Sequence, residues 1–302
     1  MKQQDANKLM AYFLAFIMVG SVFFYIVFQS IPDQQIEEET QTDLYDPEFW
    51  TFNQPFYSIS DALNITPPGA LNADFVDLES MSPQMAEWTK TVKPILAEVD
   101  SIYKSNTTKM FYSDMKYDNN RSFLLLSTME PQKNDFEFIV SPYDYDYHAL
   151  LIRQEGGLNG LYNVMGTPVM LAPQGTVIDV LEITTTLNET VTSYDTFGGL
   201  LSKVPDAPFQ TITSNVSFSK QYYMGIRMNN GSYERTSAYL DVNPDTLKNL
   251  TRLADNSAQS GFVEYNLTRN GNYTMLRVVS QDLLKVLPGN EETSLLPGTE
   301  ER

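Results

Sequence analysis

Residues 220–242 read KQYYMGIRMNNGSYERTSAYLDV, and the fold class follows from this stretch. Its two halves, 220–228 and 233–242, are rich in strand-favouring types, and Asn229-Asn230-Gly231 between them readily accepts positive φ. The stretch therefore predicts an antiparallel hairpin. Just upstream, Pro208 precedes a strand at 209–218, and Phe197, Leu200, Leu201 and Val204 have the spacing of a short helix. Downstream, Asn243-Pro244 is a cap followed by a first-turn proline, and Leu247, Leu250, Leu253 and Ala254 give that helix an apolar face. A second hairpin, 261–268 with 272–280, turns at Asn270-Gly271.

The same vocabulary recurs earlier in the chain. Ser82-Pro83 starts a helix whose stripe is Met85, Trp88, Val92, Ile95, Val99 and Ile102, interrupted at Pro94, so a kink or two abutting helices is expected. Residues 109–118 and 121–130 read as strands around Asp118-Asn119-Asn120, and Phe136, Phe138 and Val140 alternate along the next one. Residues 176–187, with their β-branched run, read as a further strand. A proline-initiated helix leading into two strands thus occurs twice, which suggests two similar subdomains at about 70–155 and 205–287. The expected fold class is α+β, with antiparallel hairpins and two proline-initiated helices.

A different stretch decides where this domain works. Residues 9–31, LMAYFLAFIMVGSVFFYIVFQSI, carry no charge. A bilayer core about 30 Å thick needs roughly 20 helical residues, which this run supplies. Lys2, Lys8 and the amino terminus precede it, whereas Asp33, Glu37, Glu38, Glu39, Asp43, Asp46 and Glu48 follow, so the amino-terminal side should stay in the cytoplasm. Cleavage as a secretory signal is disfavoured because the core is long and Phe28-Gln29-Ser30 places an aromatic where a small residue is needed. Ala11 and Ala15 put two small side chains on one helical face. The expected organisation is a cytoplasmic 1–8, a signal-anchor helix 9–31, an acidic polar stalk 32–69, an extracellular domain 70–287 and an acidic tail 288–302.

Asn64, Asn106, Asn120, Asn188, Asn215, Asn230, Asn249, Asn266 and Asn272 each begin an Asn-x-Ser/Thr triplet without a central proline. Chance placement would give roughly three, and all nine fall beyond the apolar run. They predict a glycosylated, extracytoplasmic body. The formal net charge of −18 argues against nucleic acid as a partner, and zero cysteine excludes disulfides, thiolate catalysis and cysteine-held metals. A disulfide-free exported domain of this size fits a bacterial or archaeal envelope better than an animal cell surface.

The densest polar cluster is Tyr143-Asp144-Tyr145-Asp146-Tyr147-His148. If extended, it places Asp144, Asp146 and His148 on one face, where oxygen ligands two apart could hold Ca²⁺ or Mn²⁺; Tyr143 and Tyr145 beside them could receive a sugar. His148 is the only histidine. No Gly-x-Ser-x-Gly elbow marks a nucleophile, Ser202 lacks the lysine of a Ser-x-x-Lys pair, and residues 156–160 lack a Walker lysine. The reading from residues alone is a membrane-anchored interaction domain or accessory subunit of an envelope complex, non-catalytic, with a protein partner. The alternatives are a metal-assisted hydrolase or carbohydrate-active enzyme, and a solute- or glycan-binding module.

Overall fold

The computed structural model describes residues 52–117, 120–130, 140–145, 148–152, 161–186, 190–256 and 262–288, with backbone alone at 117, 140–145, 148–152 and 256. The apolar run 9–31 and the tail from 289 lie outside the described residues, among which no helix is long and apolar enough to cross a membrane. Residues 47–302 form one compact unit of mixed α+β structure.

Among the described residues fourteen strands and seven α-helices follow in chain order: β1 Phe52–Asn53, α1 Ile59–Asn64, β2 Asn72–Asp77, α2 Pro83–Val92, α3 Ile95–Tyr103, β3 Asn106–Tyr117, β4 Asn120–Glu130, β5 Val140–Tyr145, β6 His148–Ile152, β7 Leu161–Val164, β8 Gly166–Thr167, β9 Val169–Pro173, α4 Gln174–Thr185, α5 Tyr194–Leu201, β10 Phe209–Val216, β11 Ser219–Asn229, β12 Ser232–Leu240, α6 Pro244–Asn256, β13 Glu264–Asn270, β14 Tyr273–Ser280 and α7 Leu283–Val286. Twelve of these strands form one antiparallel sheet in the order β13-β14-β12-β11-β10-β2-β3-β4-β9-β7-β6-β5. The two segments expected as similar subdomains contribute to this one sheet, meeting where β10 pairs with β2.

Helices cover both faces, and strand alternation sorts the side chains between them. On one face Ala73, Phe75, Phe111, Leu124, Leu126, Met170, Ile212, Tyr223 and Ala238 pack under α1, α4 and α5 through Leu63, Val180 and Phe197. On the other, Val76, Met110, Leu125, Leu171, Tyr222, Ile226, Leu276 and Val278 pack under α2, α3, α6 and α7 through Met85, Val99, Leu250 and Val286. Burial on both sides explains the unbroken Phe123-Leu124-Leu125-Leu126 in β4, because both faces of the strand are covered at its middle and exposure is confined to its ends, at Asn120, Arg121 and Glu130. Each fully buried side chain of this size contributes about 1.5–3 kcal/mol.

Local chemistry sets the element ends as expected. Ser82 caps α2 by accepting from the Met85 amide, Pro83 occupies the first turn, and Pro94 divides the stretch into α2 and α3. Asn243 accepts from the Thr246 amide at the start of α6. The β11–β12 turn has Asn230 at φ 49° and Gly231 at φ 78°, the two positive values of a type I′ hairpin.

Two expectations fail. Residues 174–185 are the helix α4, not a strand: Val177, Val180 and Leu181 bury one helical face, and the hydroxyls of Thr184 and Thr185 donate to carbonyls one turn back. Branching at Cβ is a weak preference that burial of this stripe outweighs. The end of the predicted stalk, 52–69, is folded into the body. Phe52, Phe56, Ile59, Ala62 and Leu63 are buried, and the hydroxyl of buried Ser193 donates to the Pro67 carbonyl and accepts from the Ala70 amide.

The strand β1 depends on one glycine. It runs parallel to β8, with Phe52 opposite Gly166 and the Phe52 amide bonded to the Met165 carbonyl at 2.7 Å. A Cβ at Gly166 would overlap the Phe52 carbonyl oxygen. Gly166→Ala should therefore undock β1 and destabilise the fold by on the order of 2 kcal/mol. Thermal unfolding should show a Tm fall of roughly 4–8 °C; an unchanged Tm would refute this account of β1.

Candidate functional site

The Tyr143–His148 cluster does not form one extended strand. The chain reverses between β5 and β6, setting Tyr145 opposite His148 and Asp144 opposite Ala149. The alternation that grouped Asp144, Asp146 and His148 therefore stops at the reversal. Asp146, Tyr147, residues 156–160 and the side chains of Tyr143, Asp144, Tyr145 and His148 lie outside the described residues. Among the described residues no three His, Cys, Asp or Glu side chains converge as a metal site requires.

The strongest polar constellation lies elsewhere and was not anticipated. Arg227 and Glu234 face each other across the β11–β12 ladder, and Glu264 lies on β13 beside Arg277 of β14. Arg227 Nη2 donates to Glu234 Oε1 at 2.7 Å, and Arg277 Nη2 donates to Glu234 Oε2 at 2.8 Å. Arg277 Nη1 reaches both Glu264 oxygens, at 3.0 and 2.8 Å. The Glu234 side chain is only 3% exposed, against 32% for Arg227 and 45% for Arg277, so the two guanidinium groups shield it. Burial alone would push the Glu234 carboxyl up, but hydrogen bonds and charge from Arg277 and Arg227 outweigh it and hold the group below the usual range. Both carboxylate oxygens are satisfied, and the arrangement ties four strands together.

On the opposite face a second cluster joins β2, β3 and β4. Tyr112 stacks on Phe123 with ring centroids 6.0 Å apart, and its hydroxyl donates to Asp114 Oδ1 at 2.8 Å. Asn72 Nδ2 donates to Asp114 Oδ2 at 3.0 Å, while Asn72 Oδ1 accepts from the Asp114 amide. Burial, followed by the hydrogen bond to Asp114, raises the Tyr112 phenol above its usual range, so Tyr112 remains a donor. Nearby, Lys93 at the end of α2 meets Asp74 at 2.6 Å and lies over the Phe209 ring. The cluster presents a half-buried aromatic margin whose carboxylate is already occupied by internal donors.

The triplet asparagines map to the surface. Asn64, Asn106, Asn120, Asn215, Asn230, Asn266 and Asn272 are exposed, Asn249 is half-buried, and Asn188 lies outside the described residues. Asn120, Asn215 and Asn272 sit at or beside turns at one end of the strands. Asn106, Asn230 and the β1–β8 pair lie at the other end.

No protein-family model matches the chain, and no curated protein matches it. Solved structures of TP0453 resemble it at low similarity. Crystal form III is 7% identical over 74% of this chain and 96% of that one, with a TM-score of 0.42; crystal form I is 6% identical over 72% and 90%, with a TM-score of 0.41. Likeness at that level carries no functional argument.

The Glu234 constellation makes stability depend on acid. A carboxylate held below its unfolded value contributes fully above about pH 4.3, and the contribution is lost as pH falls through the folded value. Glu234→Gln should cost about 2 kcal/mol at neutral pH. Urea unfolding at neutral pH and at about pH 3 should show the gap from wild type shrinking on acidification. A gap that stays constant with pH would remove the ionic explanation.

Proposed function

We propose that this chain is a single-pass membrane protein, amino terminus inside, whose body acts outside the cell as a non-catalytic interaction domain or accessory subunit of an envelope complex. The observation that carries the placement is the charge-free run 9–31, with basic residues before it, acidic residues after it and all nine glycosylation triplets on its far side. The surface positions of the described acceptors support the same reading, since a sugar on an exposed asparagine needs no rearrangement of the core.

An interaction role is favoured by the form of the body. A sheet braced by helices on both faces presents its surface rigidly. Near one end of β11, β12 and β14, Met228, Val263 and Leu284 are 47%, 66% and 71% exposed. Exposed apolar side chains in a chain whose formal net charge is −18 suit contact with a protein partner.

External protease applied to intact cells, followed by mild detergent purification of the untreated protein, tests both parts. Digestion should remove the body and leave a fragment containing residues 1–31 in the membrane, and a partner should co-purify at fixed stoichiometry. A mature chain beginning after residue 31 would refute the anchor. Recovery solely as an isolated monomer would refute the accessory role.

A further inference from the structure

The two fully buried hydroxyls that complete glycosylation triplets differ in one respect. In the Asn64 triplet the Thr66 hydroxyl donates to the Ala62 carbonyl at 2.7 Å, so the fold itself uses it. In the Asn272 triplet Thr274 is 1% exposed and its Oγ1 makes no hydrogen bond. Thr274 lies in β14, opposite Tyr239 on one side and Arg269 on the other. A buried hydroxyl without a partner destabilises the folded state, and valine has the same shape without that burden.

We infer that Asn272 is an occupied N-glycosylation site and that the Thr274 hydroxyl serves the transferase rather than the fold. The inference rests on the extracytoplasmic placement proposed above. Transfer to the chain before β14 forms would meet the hydroxyl unburied, so its later burial is no obstacle. Asn272 Nδ2 attacks the anomeric carbon of a lipid-pyrophosphate-linked oligosaccharide. A C–N bond forms, the C–O bond to the lipid pyrophosphate breaks with its electron pair leaving on oxygen, and Nδ2 releases one proton.

The folded geometry accommodates the product. Gly271, at φ 61°, and Asn272 form the β13–β14 turn, where Asn272 is exposed and its carbonyl accepts from the Asp241 amide at 2.9 Å. Beside it lies an open cleft of about 330 Å³ lined by Asp241, Val242, Arg269, Gly271, Asn272 and Thr274. The Asp241 carboxylate and the Arg269 guanidinium there offer an acceptor and a donor to the first sugar.

The test compares full-length wild type, Thr274→Val and Thr274→Ser, expressed in a glycosylating envelope host and in a host without the transferase. Peptide mass spectrometry should find sugar on Asn272 in wild type and in Thr274→Ser, and none in Thr274→Val. Without glycosylation, Thr274→Val should raise Tm by roughly 3 °C. A bare Asn272 beside other occupied triplets would overturn this inference alone, and a lower Tm for Thr274→Val would show that the hydroxyl serves the fold. A chain bare at every triplet would overturn this inference and count against the glycosylated, extracytoplasmic placement, which the protease experiment decides separately.

Discussion

The ladder between β10 and β2 is the junction on which the twelve-stranded sheet depends. Five residue pairs, from Phe209 opposite Val76 to Thr213 opposite Asn72, join the strands of residues 209–280 to those of residues 72–173. The pairing is non-local, separated by more than a hundred residues of chain, so its closure entropy is offset only when both cores assemble around it. Phe75 and Ile212 pack on one side of the junction, Val76 and Phe209 on the other. Continuous burial across the junction is what makes residues 47–302 one unit.

That dependence explains which parts of the fold could be read from the residues. Hairpins were legible because turn chemistry fixes them locally: Asn230-Gly231 and, one residue beyond the predicted Asn270-Gly271, Gly271-Asn272 each sit between strands of strand-forming composition. Helix starts at Ser82-Pro83 and Asn243-Pro244 were legible for the same reason. Residues 174–185 were not, because their identity depends on a stripe buried against β4 and β9, a surface that exists only after the sheet forms. Nor was the docking of 52–69, whose polar flanks resemble a linker while Phe56, Ile59 and Leu63 fill the first core.

The Glu234 constellation was half legible. Arg227 and Glu234 are symmetric about the predicted turn, so placing the turn already places them opposite one another. Arg277 and Glu264 are likewise close to symmetric about the next hairpin. What composition could not supply was the adjacency of the two hairpins through β12 and β14, which turns two ordinary cross-strand pairs into a single shielded carboxylate. In a chain with 38 acidic and 20 basic residues, spending two arginines on one glutamate is a sizeable concentration of positive charge. The benefit is structural, since α6 packs on the opposite face of β13 and leaves this face to polar residues.

A chain without cysteine has no disulfide staple, and here the sheet takes that role. Large antiparallel sheets have terminal strands whose outward backbone groups can pair with another chain. In the described sheet those strands are β5 and β13. β13 carries Asn266, Thr268, Arg269 and Asn270 on its exposed positions, polar and charged groups that oppose edge-to-edge association, and Asn266 itself begins an Asn-x-Thr triplet. The Asn266 and Asn272 triplets thus concentrate at the terminal strand and its turn, the part of the sheet with one neighbour instead of two. Hydration of that margin by polar side chains and burial of the junction at its centre are complementary requirements: the sheet must be closed to strangers at its edge and indivisible in its middle.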